Sequence, residues 1–372
     1  MKQVYGDEVM EVVQSLKIPS RRQFLRVNTL KITPEGLVNA FLSQGIELHR
    51  FDQICEAVFT HVEGPLAVPV AQKRIVVDKF TAESVLQGAH VYAPGVLKCS
   101  RLKRGDYVTV TDVHSQVVGA GVMRMSETEI LTLRRGLAVE VTSPMYRALS
   151  LRETEEYEQG LFYPQSLPAI VTSRILAPSP GETIIDMNCS PGGKLSHISQ
   201  LMQNAGRVVG VDRNMKKIEI ARRNIQRLGC TNVTLISHDA RYLDVDYPSL
   251  RADKCLVDPP CSALGLSPKL YVDLSESSIK NLADYQKQFL NAASRITKSG
   301  GRIVYSVCTI TEQECEEVAR FGVEELGLEI AEQKPYLGVV GLKSFGAEAS
   351  LLQRFDPRKH GIGYFIAHFR KR

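Results

Sequence analysis

The chain has 372 residues, of which 44% are hydrophobic and 23% charged, and its formal net charge is +5. This composition is ordinary for a globular protein of two or three domains, and the small positive charge permits an anionic partner without requiring one. No apolar run approaches the roughly 18–20 residues that span a bilayer, and the first residues lack the apolar core of a secretory signal, so we predict a cytoplasmic protein.

Residues 1–72 are predicted to form a small N-terminal α+β segment. A strand is predicted near residues 24–30, and Thr33 followed by Pro34 is typical of the start of a helix. Three arginines beside this strand could contact RNA. They could equally form a solvated face, because a run of charges is weak evidence by itself. These arginines are Arg21, Arg22 and Arg26.

Residues 73–148 change to short strands and turns, which predicts a compact β-barrel. Residues 87–96, Gln-Gly-Ala-His-Val-Tyr-Ala-Pro-Gly-Val, resemble the core of a PUA domain, an RNA-binding barrel that several RNA-modifying enzymes carry. The resemblance implies a module that grips structured RNA. Basic residues at the turns of this barrel are suited to phosphate contacts. They are Lys98, Arg101, Lys103, Arg104, Arg134 and Arg135.

Residues 149–372 are predicted to form an α/β domain with a parallel sheet. A strand at 183–186 leads into the glycine-rich turn 190–194, and glycine lets the backbone approach a ligand closely. The second strand ends at Asp212, where an acid can accept both hydroxyls of a ribose. Asp239 and Asp258 follow two further strands. This series predicts an adenosine-type cofactor, because neither a P-loop nor a dinucleotide fingerprint is present.

Two cysteines follow strands of the same predicted sheet. Cys261 ends the run Leu-Val-Asp-Pro-Pro-Cys, and Cys308 ends a second apolar run. Because ligands gather at the carboxyl ends of such strands, both cysteines and Asp258 could face one pocket. Buried cysteines are often inert, but the Asp-Pro-Pro-Cys context and the upstream turn favour chemistry here. The eight cysteines include no C-x-x-C pair, so we predict reduced thiols and no metal site.

Several motifs in this domain resemble the Sun/NOP family of RNA cytosine carbon-5 methyltransferases. The Arg-Val-Asn-Thr-Leu-Lys segment at 26–31 resembles the leader of that family, and an inserted PUA domain resembles its branch that methylates the acceptor-stem end of tRNA. The catalytic motifs are Pro-Gly-Gly-Lys at 191–194, Val-Asp at 211–212, Asp-Ala at 239–240, Asp-Pro-Pro-Cys-Ser at 258–262 and Tyr-Ser-Val-Cys-Thr at 305–309.

The resemblance implies a Rossmann-like methyltransferase domain that uses S-adenosylmethionine, with an inserted PUA barrel and a small N-terminal segment. It also implies a tRNA partner, contacted at its acceptor stem and 3′ end, with 5-methylcytosine formed near the acceptor end at position 72. We expect a monomer without an obligate protein partner.

The resemblance further implies roles for individual residues. Cys308 would be the nucleophile, and Cys261 would assist proton removal and product release. Lys194 would contact Asp258 and the base. The cofactor set would comprise Asn188, Cys189, Ser190, Pro191, Gly192, Gly193 and Lys194 at the methionine end, Asp212 at the ribose, Asp239 at the adenine, and Asp258.

The chain departs from the family pattern D-x-C-A-A-P-G-G-K-T in the cofactor loop. It reads Asp-Met-Asn-Cys-Ser-Pro-Gly-Gly-Lys-Leu at 186–195, so Cys189 is displaced by one position and Leu195 replaces threonine. In the second cysteine motif Val307 stands where the family has threonine. These changes put side-chain details of the cofactor loop in doubt, although not its backbone cradle.

The chemistry explains why such residues would be needed. Carbon 5 of cytosine is a poor nucleophile until a thiolate adds to carbon 6, which splits a difficult step into easier ones. An ordinary thiol has a pKa of about 8.5, so a cation or helix terminus must lower it. Asp258 could hold ring nitrogen 3 and the exocyclic amine. Sharing a proton there needs a raised pKa, which burial would supply.

Alternatives stay open at this point. Sequence alone does not order the two cysteines, so Cys261 could be the nucleophile instead. The protein could be a catalytically silent RNA-binding adaptor that uses its barrel, although Cys261, Cys308 and Asp258 are all present. It could also methylate a substrate other than tRNA, including an amine of protein or DNA, because Asp-Pro-Pro suits amines as well.

Overall fold

The computed structural model describes residues 2–372, and three β-sheets of four, six and nine strands organise them. The helices are α1 (Lys2–Tyr5), α2 (Val9–Lys17), α3 (Pro34–Leu42), α4 (Lys79–Val85), α5 (Glu127–Leu133), α6 (Glu155–Glu158), α7 (Leu167–Leu176), α8 (Gly193–Leu201), α9 (Met215–Leu228), α10 (Leu243–Asp246), α11 (Glu276–Ile296), α12 (Glu316–Glu324) and α13 (Pro357–His360). The strands are β1 (Arg22–Val27), β2 (His49–Arg50), β3 (Ala57–His61), β4 (Lys73–Val77), β5 (Val91–Tyr92), β6 (Val96–Cys99), β7 (Tyr107–Thr111), β8 (Val117–Met123), β9 (Leu137–Pro144), β10 (Phe162–Pro164), β11 (Thr183–Asp186), β12 (Arg207–Asp212), β13 (Val233–Ser237), β14 (Ala252–Val257), β15 (Thr297–Val307), β16 (Glu329–Ile330), β17 (Val339–Val340), β18 (Gln353–Phe355) and β19 (Tyr364–Arg370).

The four-stranded sheet joins two distant parts of the chain. Its order is β10-β1-β3-β2, so a strand that follows the barrel pairs with one that precedes it. Helix α3 covers one face of this sheet, and Thr33 caps the helix by accepting the amide of Gly36. The segment after the barrel that contains β10 is therefore hydrogen-bonded into the N-terminal sheet.

The six-stranded sheet closes around its own apolar core. Its order is β5-β9-β8-β7-β4-β6, and β4 with β7 is its parallel pair. Buried valine and isoleucine side chains such as Ile75, Val108 and Val110 fill the interior of this sheet, as in a small barrel. Leu270, from a loop of the last domain, also packs into this core.

The nine-stranded sheet has the order β13-β12-β11-β14-β15-β19-β18-β17, with β16 also pairing with β19. The first five strands are parallel and β19 runs antiparallel to β15. Apolar runs form these central strands because helices bury both faces. Helices α11 and α12 cover one face, and α7, α8 and α9 cover the other. The architecture predicted from the motifs, a Rossmann-like domain with a separate barrel, is confirmed.

One helix begins earlier than its sequence predicts. The sequence predicts a helix from about Leu282 to Ile296, whereas α11 begins at Glu276, because the Ser275 side chain accepts the amide of Ser278 and so caps the helix earlier. None of the helices described is both long and apolar enough to cross a bilayer. Within residues 2–372 no cluster of His, Cys, Asp or Glu side chains is arranged to hold a metal ion.

Candidate active site

A cavity of about 280 Å³ lies at the carboxyl edge of the parallel strands. Residues that follow five neighbouring strands line it, as expected for a site in an open α/β sheet. The predicted site residues that it brings together are Asn188, Ser190, Asp212, Asp239, Asp258, Cys261 and Cys308.

The two cysteine side chains are in direct contact. The Sγ atoms of Cys261 and Cys308 lie 3.3 Å apart. The hydrogen bond from Cys261 and the cation of Lys194 together lower the pKa of the Cys308 thiol. Donation to Cys308, together with burial, raises the pKa of Cys261 well above its usual value. The pair therefore favours a thiolate on Cys308 and a thiol on Cys261.

Asp258 is held by three donors from three different elements. Lys194 Nζ on α8 lies 2.6 Å from Asp258 Oδ2, and the Ser306 hydroxyl on β15 donates to Oδ1 at 2.9 Å. The Tyr364 hydroxyl on β19 lies 3.4 Å from Oδ1 and 3.2 Å from Ser306 Oγ. Although burial alone would lower it, the Asp258 carboxylate raises the pKa of Lys194 well above its usual value.

This arrangement corrects the environment predicted for Asp258. The sequence predicts a buried Asp258, whereas its side chain is 29% exposed and is paired with Lys194, the residue expected to contact it. The fully buried carboxyl belongs to Asp186 at the end of β11. Burial, together with the charge of Asp258, raises the pKa of Asp186 to about 7. The sequence marked Asp186 as a strand end and gave no sign of its burial.

The glycine-rich turn packs tightly against the N-terminal sheet. Gly192 adopts a φ of 103°, which favours glycine, and caps α8. A Cβ atom on Gly193 would lie 2.8 Å from the Tyr163 ring, so only glycine fits there. Pro191, between Ser190 and these glycines, accepts the side-chain amide of Asn224 through its carbonyl oxygen. These residues shape the turn beneath the cavity.

Cys189 does not have the role predicted for it. Its side chain is buried in the apolar core beneath the turn, and burial raises the pKa of its thiol. Its amide donates to the Val211 carbonyl at 2.9 Å, and its carbonyl accepts the Gly192 amide at 2.7 Å. Both backbone groups are thus used within the protein, and Cys189 serves packing rather than ligand contact.

Arg26 is likewise excluded from direct contact with RNA. The side chain is 1% exposed, and burial lowers the pKa of its guanidinium to about 10. It donates to Gln165 Oε1 at 2.6 Å, to Ser196 Oγ at 2.8 Å and to the Gly193 carbonyl. The N-terminal sheet therefore supports the cofactor turn from below. Arg21 and Arg22 remain exposed.

The remaining cavity residues fit an adenosyl and amino-acid ligand. Asn188 Oδ1 is buried and has no hydrogen-bond partner within residues 2–372, so it can accept an ammonium group. Asp212 accepts the Asn214 amide at 3.0 Å through Oδ1 and lines the cavity. Asp239 is held by Arg241 at 2.6 Å. S-adenosylmethionine therefore fits this set of hydrogen-bond acceptors, with Asn188 at its amino-acid end.

Sequence reasoning missed the aromatic wall of the cavity. Tyr285 and Phe289 lie one turn apart on α11, with ring centroids 5.0 Å from each other, and both line the cavity. The Arg241 guanidinium lies 4.5 Å from the centroid of the Tyr285 ring. Helical spacing of two aromatic residues is ordinary for a buried helix face, so the sequence carried no distinguishing signal.

The six predicted RNA contacts cluster around α5, at one end of the barrel. Two of them already have protein partners. Arg104 pairs with Glu129 at 2.7 Å, and Arg134 donates to the carbonyls of Val96 at 3.0 Å and Pro94 at 2.9 Å. The other four have exposed side chains: Lys98, Arg101, Lys103 and Arg135.

A Rossmann-like sheet with a glycine-rich turn, acids after successive strands and a contacting pair of thiols defines a cofactor-dependent methyltransferase. The family described as 16S rRNA methyltransferase RsmB/F matches residues 173–370, and the PUA domain matches residues 73–145. The chain belongs to this family of RNA cytosine-5 methyltransferases, and its cofactor is S-adenosylmethionine.

Individual relatives resemble nearly the whole chain. A tRNA (cytosine(72)-C(5))-methyltransferase of Pyrococcus horikoshii is 39% identical over 100% of this chain and 95% of its own length. The human tRNA (cytosine(72)-C(5))-methyltransferase NSUN6 is 28% identical over 97% of this chain and 90% of its own. The crystal structure of NSun6 from Pyrococcus horikoshii with SFG, an analogue of S-adenosylmethionine, superposes with a TM-score of 0.92, covering 100% of this chain and 96% of that one.

Proposed function

We propose that this enzyme forms 5-methylcytosine at position 72 of tRNA, next to the acceptor end. The observation that carries the chemistry is the contact between Cys261 and Cys308 beside the Lys194–Asp258 pair. The substrate follows from likeness over the full chain to a relative described as a tRNA (cytosine(72)-C(5))-methyltransferase, together with the inserted PUA domain.

In the proposed mechanism the Cys308 thiolate adds to carbon 6 of the target cytosine. The new carbon–sulfur bond shifts the ring electrons toward carbon 5, which becomes the nucleophile. S-adenosylmethionine, when bound in the cavity, supplies the methyl group. The Asp258 oxygens accept from the exocyclic amine and from a protonated ring nitrogen 3, which stabilises the ring form that takes up the thiolate.

Cys261 has a different task in this scheme. While its S–H donates to Cys308, it stays a thiol and does not compete as nucleophile. After methyl transfer the proton on carbon 5 must leave, and the Cys308 sulfur must be expelled to restore the ring. Cys261 lies 3.3 Å from Cys308 and assists both steps: its S–H proton passes to the departing Cys308 sulfur, and its own sulfur takes up the proton from carbon 5. The reverse assignment, with Cys261 as nucleophile, is the competing scheme.

Two single substitutions separate the schemes. Cys308→Ala should abolish methylation and leave no covalent protein–RNA adduct. Cys261→Ala should slow product release and let the adduct accumulate on a denaturing gel. An adduct on Cys308→Ala and none on Cys261→Ala would reverse the assignment. Cys55→Ala, at an exposed thiol remote from the cavity, is the matched control.

The substrate is tested with unmodified total tRNA, labelled S-adenosylmethionine and bisulfite sequencing. A single protected cytosine at position 72 is the expected result. Label at another site or in another RNA would keep the enzyme class and overturn the tRNA assignment. Absence of label on RNA, with cofactor still bound, would favour a protein or DNA substrate.

We propose the division of labour that the sequence suggests, with an N-terminal segment at 1–72, an RNA-binding barrel at 73–148 and a catalytic domain at 149–372, except that β10 of the last range pairs with β1 and so joins the N-terminal sheet. The separate sheet and core of the barrel support this division. The exposed Lys98, Arg101, Lys103 and Arg135 would contact phosphates, which predicts salt-sensitive binding.

We infer that the enzyme works as a monomer in the cytoplasm. One chain supplies every residue of the cavity described above. Two free thiols in contact need a reducing compartment to stay reduced, as the cytoplasm provides. Light scattering of the free protein should give the mass of one chain, 41.3 kDa, and with RNA added the complex should contain one protein chain. A concentration-dependent dimer would contradict the monomer.

A further inference from the structure

One face of the N-terminal sheet is not covered by α3. Helix α3 packs against Leu25 and Val58, whereas Phe24 and Phe59 point to the opposite face and are register partners on β1 and β3. Their ring centroids lie 5.4 Å apart, and Phe51 lies 5.5 Å from Phe24. Phe24 and Phe51 are half-buried. The face therefore presents adjoining aromatic surfaces.

A groove of about 700 Å³ runs along this face. We call it the sheet groove: Arg21, Arg22, Phe24 and Phe51 line its sheet side, and residues 357–361 with Leu337 line the other. A neighbouring cavity of about 250 Å³ shares Arg22, Phe24 and His360 with it and extends to Ser267.

Ser267 belongs to the loop that follows Cys261. In that loop the Gly265 amide donates to the Cys308 carbonyl at 3.0 Å. The Ser267 hydroxyl donates to the Gly361 carbonyl at 2.5 Å. The sheet groove thus leads from the aromatic face toward the loop that follows Cys261 and is hydrogen-bonded to Cys308.

The walls of both cavities are cationic. They include Arg21, Arg22, Arg358 and Lys359, and in the part of the chain described no Asp or Glu lines either cavity. Arg358 is compensated by Asp356 and Glu8. Arg21, Arg22 and Lys359 are exposed, and the Arg22 guanidinium lies 4.7 Å from the centroid of the Phe59 ring. Positive charge beside aromatic surface complements a chain of phosphates and unstacked bases.

We propose that the sheet groove binds an unpaired strand of the substrate RNA next to the target cytosine. Its bases stack on Phe24 and Phe51, and its phosphates contact Arg21, Arg22 and Lys359. This inference rests on the proposed RNA methyltransferase function. A paired cytosine must leave its stack before it can reach Cys308, and opening the end of a helix releases single-stranded nucleotides. The sheet groove holds that strand next to the loop that follows Cys261.

The test compares two RNAs of equal charge on the full-length enzyme: a stem with a single-stranded extension and a blunt stem of the same nucleotide count. In Arg21→Gln/Lys359→Gln, binding of the extended stem measured by anisotropy should weaken about tenfold, and the slope of log affinity against log salt should fall by about two. Binding of the blunt stem should change less. Phe51→Leu keeps apolar volume but removes stacking, and should weaken only the extended stem.

The matched control, Arg223→Gln/Lys334→Gln, removes the same charge from exposed positions that line neither cavity. Each variant must retain the wild-type melting temperature and S-adenosylmethionine affinity. Equal losses for extended and blunt stems, or for test and control variants, would overturn the inference. The inference would also be overturned if the groove variants bound RNA as the wild type does but lost binding to an acidic peptide. If the wild type neither binds nor methylates RNA, the proposed function itself fails. If the wild type methylates RNA and Arg21→Gln/Lys359→Gln binds the extended stem as tightly as the wild type does, only the proposed role of the sheet groove fails.

Discussion

The sulfur atoms of Cys261 and Cys308 lie 3.3 Å apart, although 47 residues separate them in the chain. Their contact follows from strand pairing, because Cys261 follows β14, Cys308 follows β15, and Val257 pairs with Tyr305 at the ends of these strands. Neighbouring parallel strands deliver both thiols to one edge of the sheet. The contact makes the two sulfurs unequal, since only one of them can donate to the other.

Because the two sulfurs are unequal, removal of Cys261 should shift the pH dependence of Cys308 reactivity. Removing the donor in Cys261→Ala should raise the pKa of Cys308, because its thiolate loses the hydrogen bond that lowers that pKa. The acid limb of Cys308 alkylation by iodoacetamide, followed by mass spectrometry, should move to higher pH. Cys55→Ala should leave the profile in place. An unshifted or downward-shifted profile in Cys261→Ala would contradict the proposed hydrogen bond.

Lys194 should matter for rate more than for cofactor binding. Lys194→Met removes the cation 2.6 Å from Asp258 and leaves that carboxylate uncompensated. Loss of one preorganised charged donor commonly costs about 100-fold or more in kcat, and a similar loss is expected in single-turnover methylation. Equilibrium dialysis with S-adenosylmethionine provides the control. A drop confined to cofactor affinity would show that Lys194 acts on the cofactor and not on the base.

Tyr364 is a positioning residue that lies outside all of the sequence motifs. Its hydroxyl reaches both Asp258 and Ser306 from the antiparallel strand β19, and burial raises the pKa of that hydroxyl. Tyr364→Phe keeps the ring and removes the hydroxyl, so unfolding free energy should fall by only about 1 kcal/mol. Methylation should fall by about tenfold in kcat with KM for RNA unchanged. Equal activity of Tyr364→Phe and wild type would remove Tyr364 from the site.

The motifs at strand ends could be found in the sequence because parallel strands impose a simple rule. An acid or cysteine directly after an apolar run faces the carboxyl edge, and Asp212, Asp258 and Cys308 do lie there. The rule gives no guidance for Cys189 in the turn or for Arg26 within β1, because their exposure depends on which other elements pack against them. Tyr364 reaches Asp258 across 106 residues, and only the position of β19 beside β15 brings them together.

Arg26 should act as a structural support for the cofactor turn. Arg26→Met would leave the Gly193 carbonyl and its other buried partners without a donor, which typically costs about 2–4 kcal/mol of unfolding free energy. Urea unfolding measures that loss, and weaker S-adenosylmethionine binding should accompany it. The same substitution at exposed Arg21 should change stability by less than about 0.5 kcal/mol. Equal stability of the two variants would contradict the supporting role.

His197 predicts acid sensitivity at the contact between the N-terminal sheet and α8. It is fully buried against Glu56, and burial lowers its pKa from the ordinary 6.5 to about 4. In that range the unfolded chain binds more protons than the folded protein, so stability is complete above about pH 6.5 and falls as the pH drops toward 4. The shift corresponds to about 3 kcal/mol.

The raised pKa of Asp186 acts in the opposite direction over a similar range, because the folded protein then binds the extra proton. The measurement must therefore compare variants that share Asp186. Urea unfolding of wild type and His197→Gln between pH 7.5 and 5 isolates the histidine. The wild type should lose more stability than His197→Gln as the pH falls, since glutamine cannot take up a proton. Parallel curves for the two proteins would mean that His197 has the same pKa in the folded and unfolded states, and a wild type that gains stability relative to His197→Gln would mean that His197 is charged within the fold.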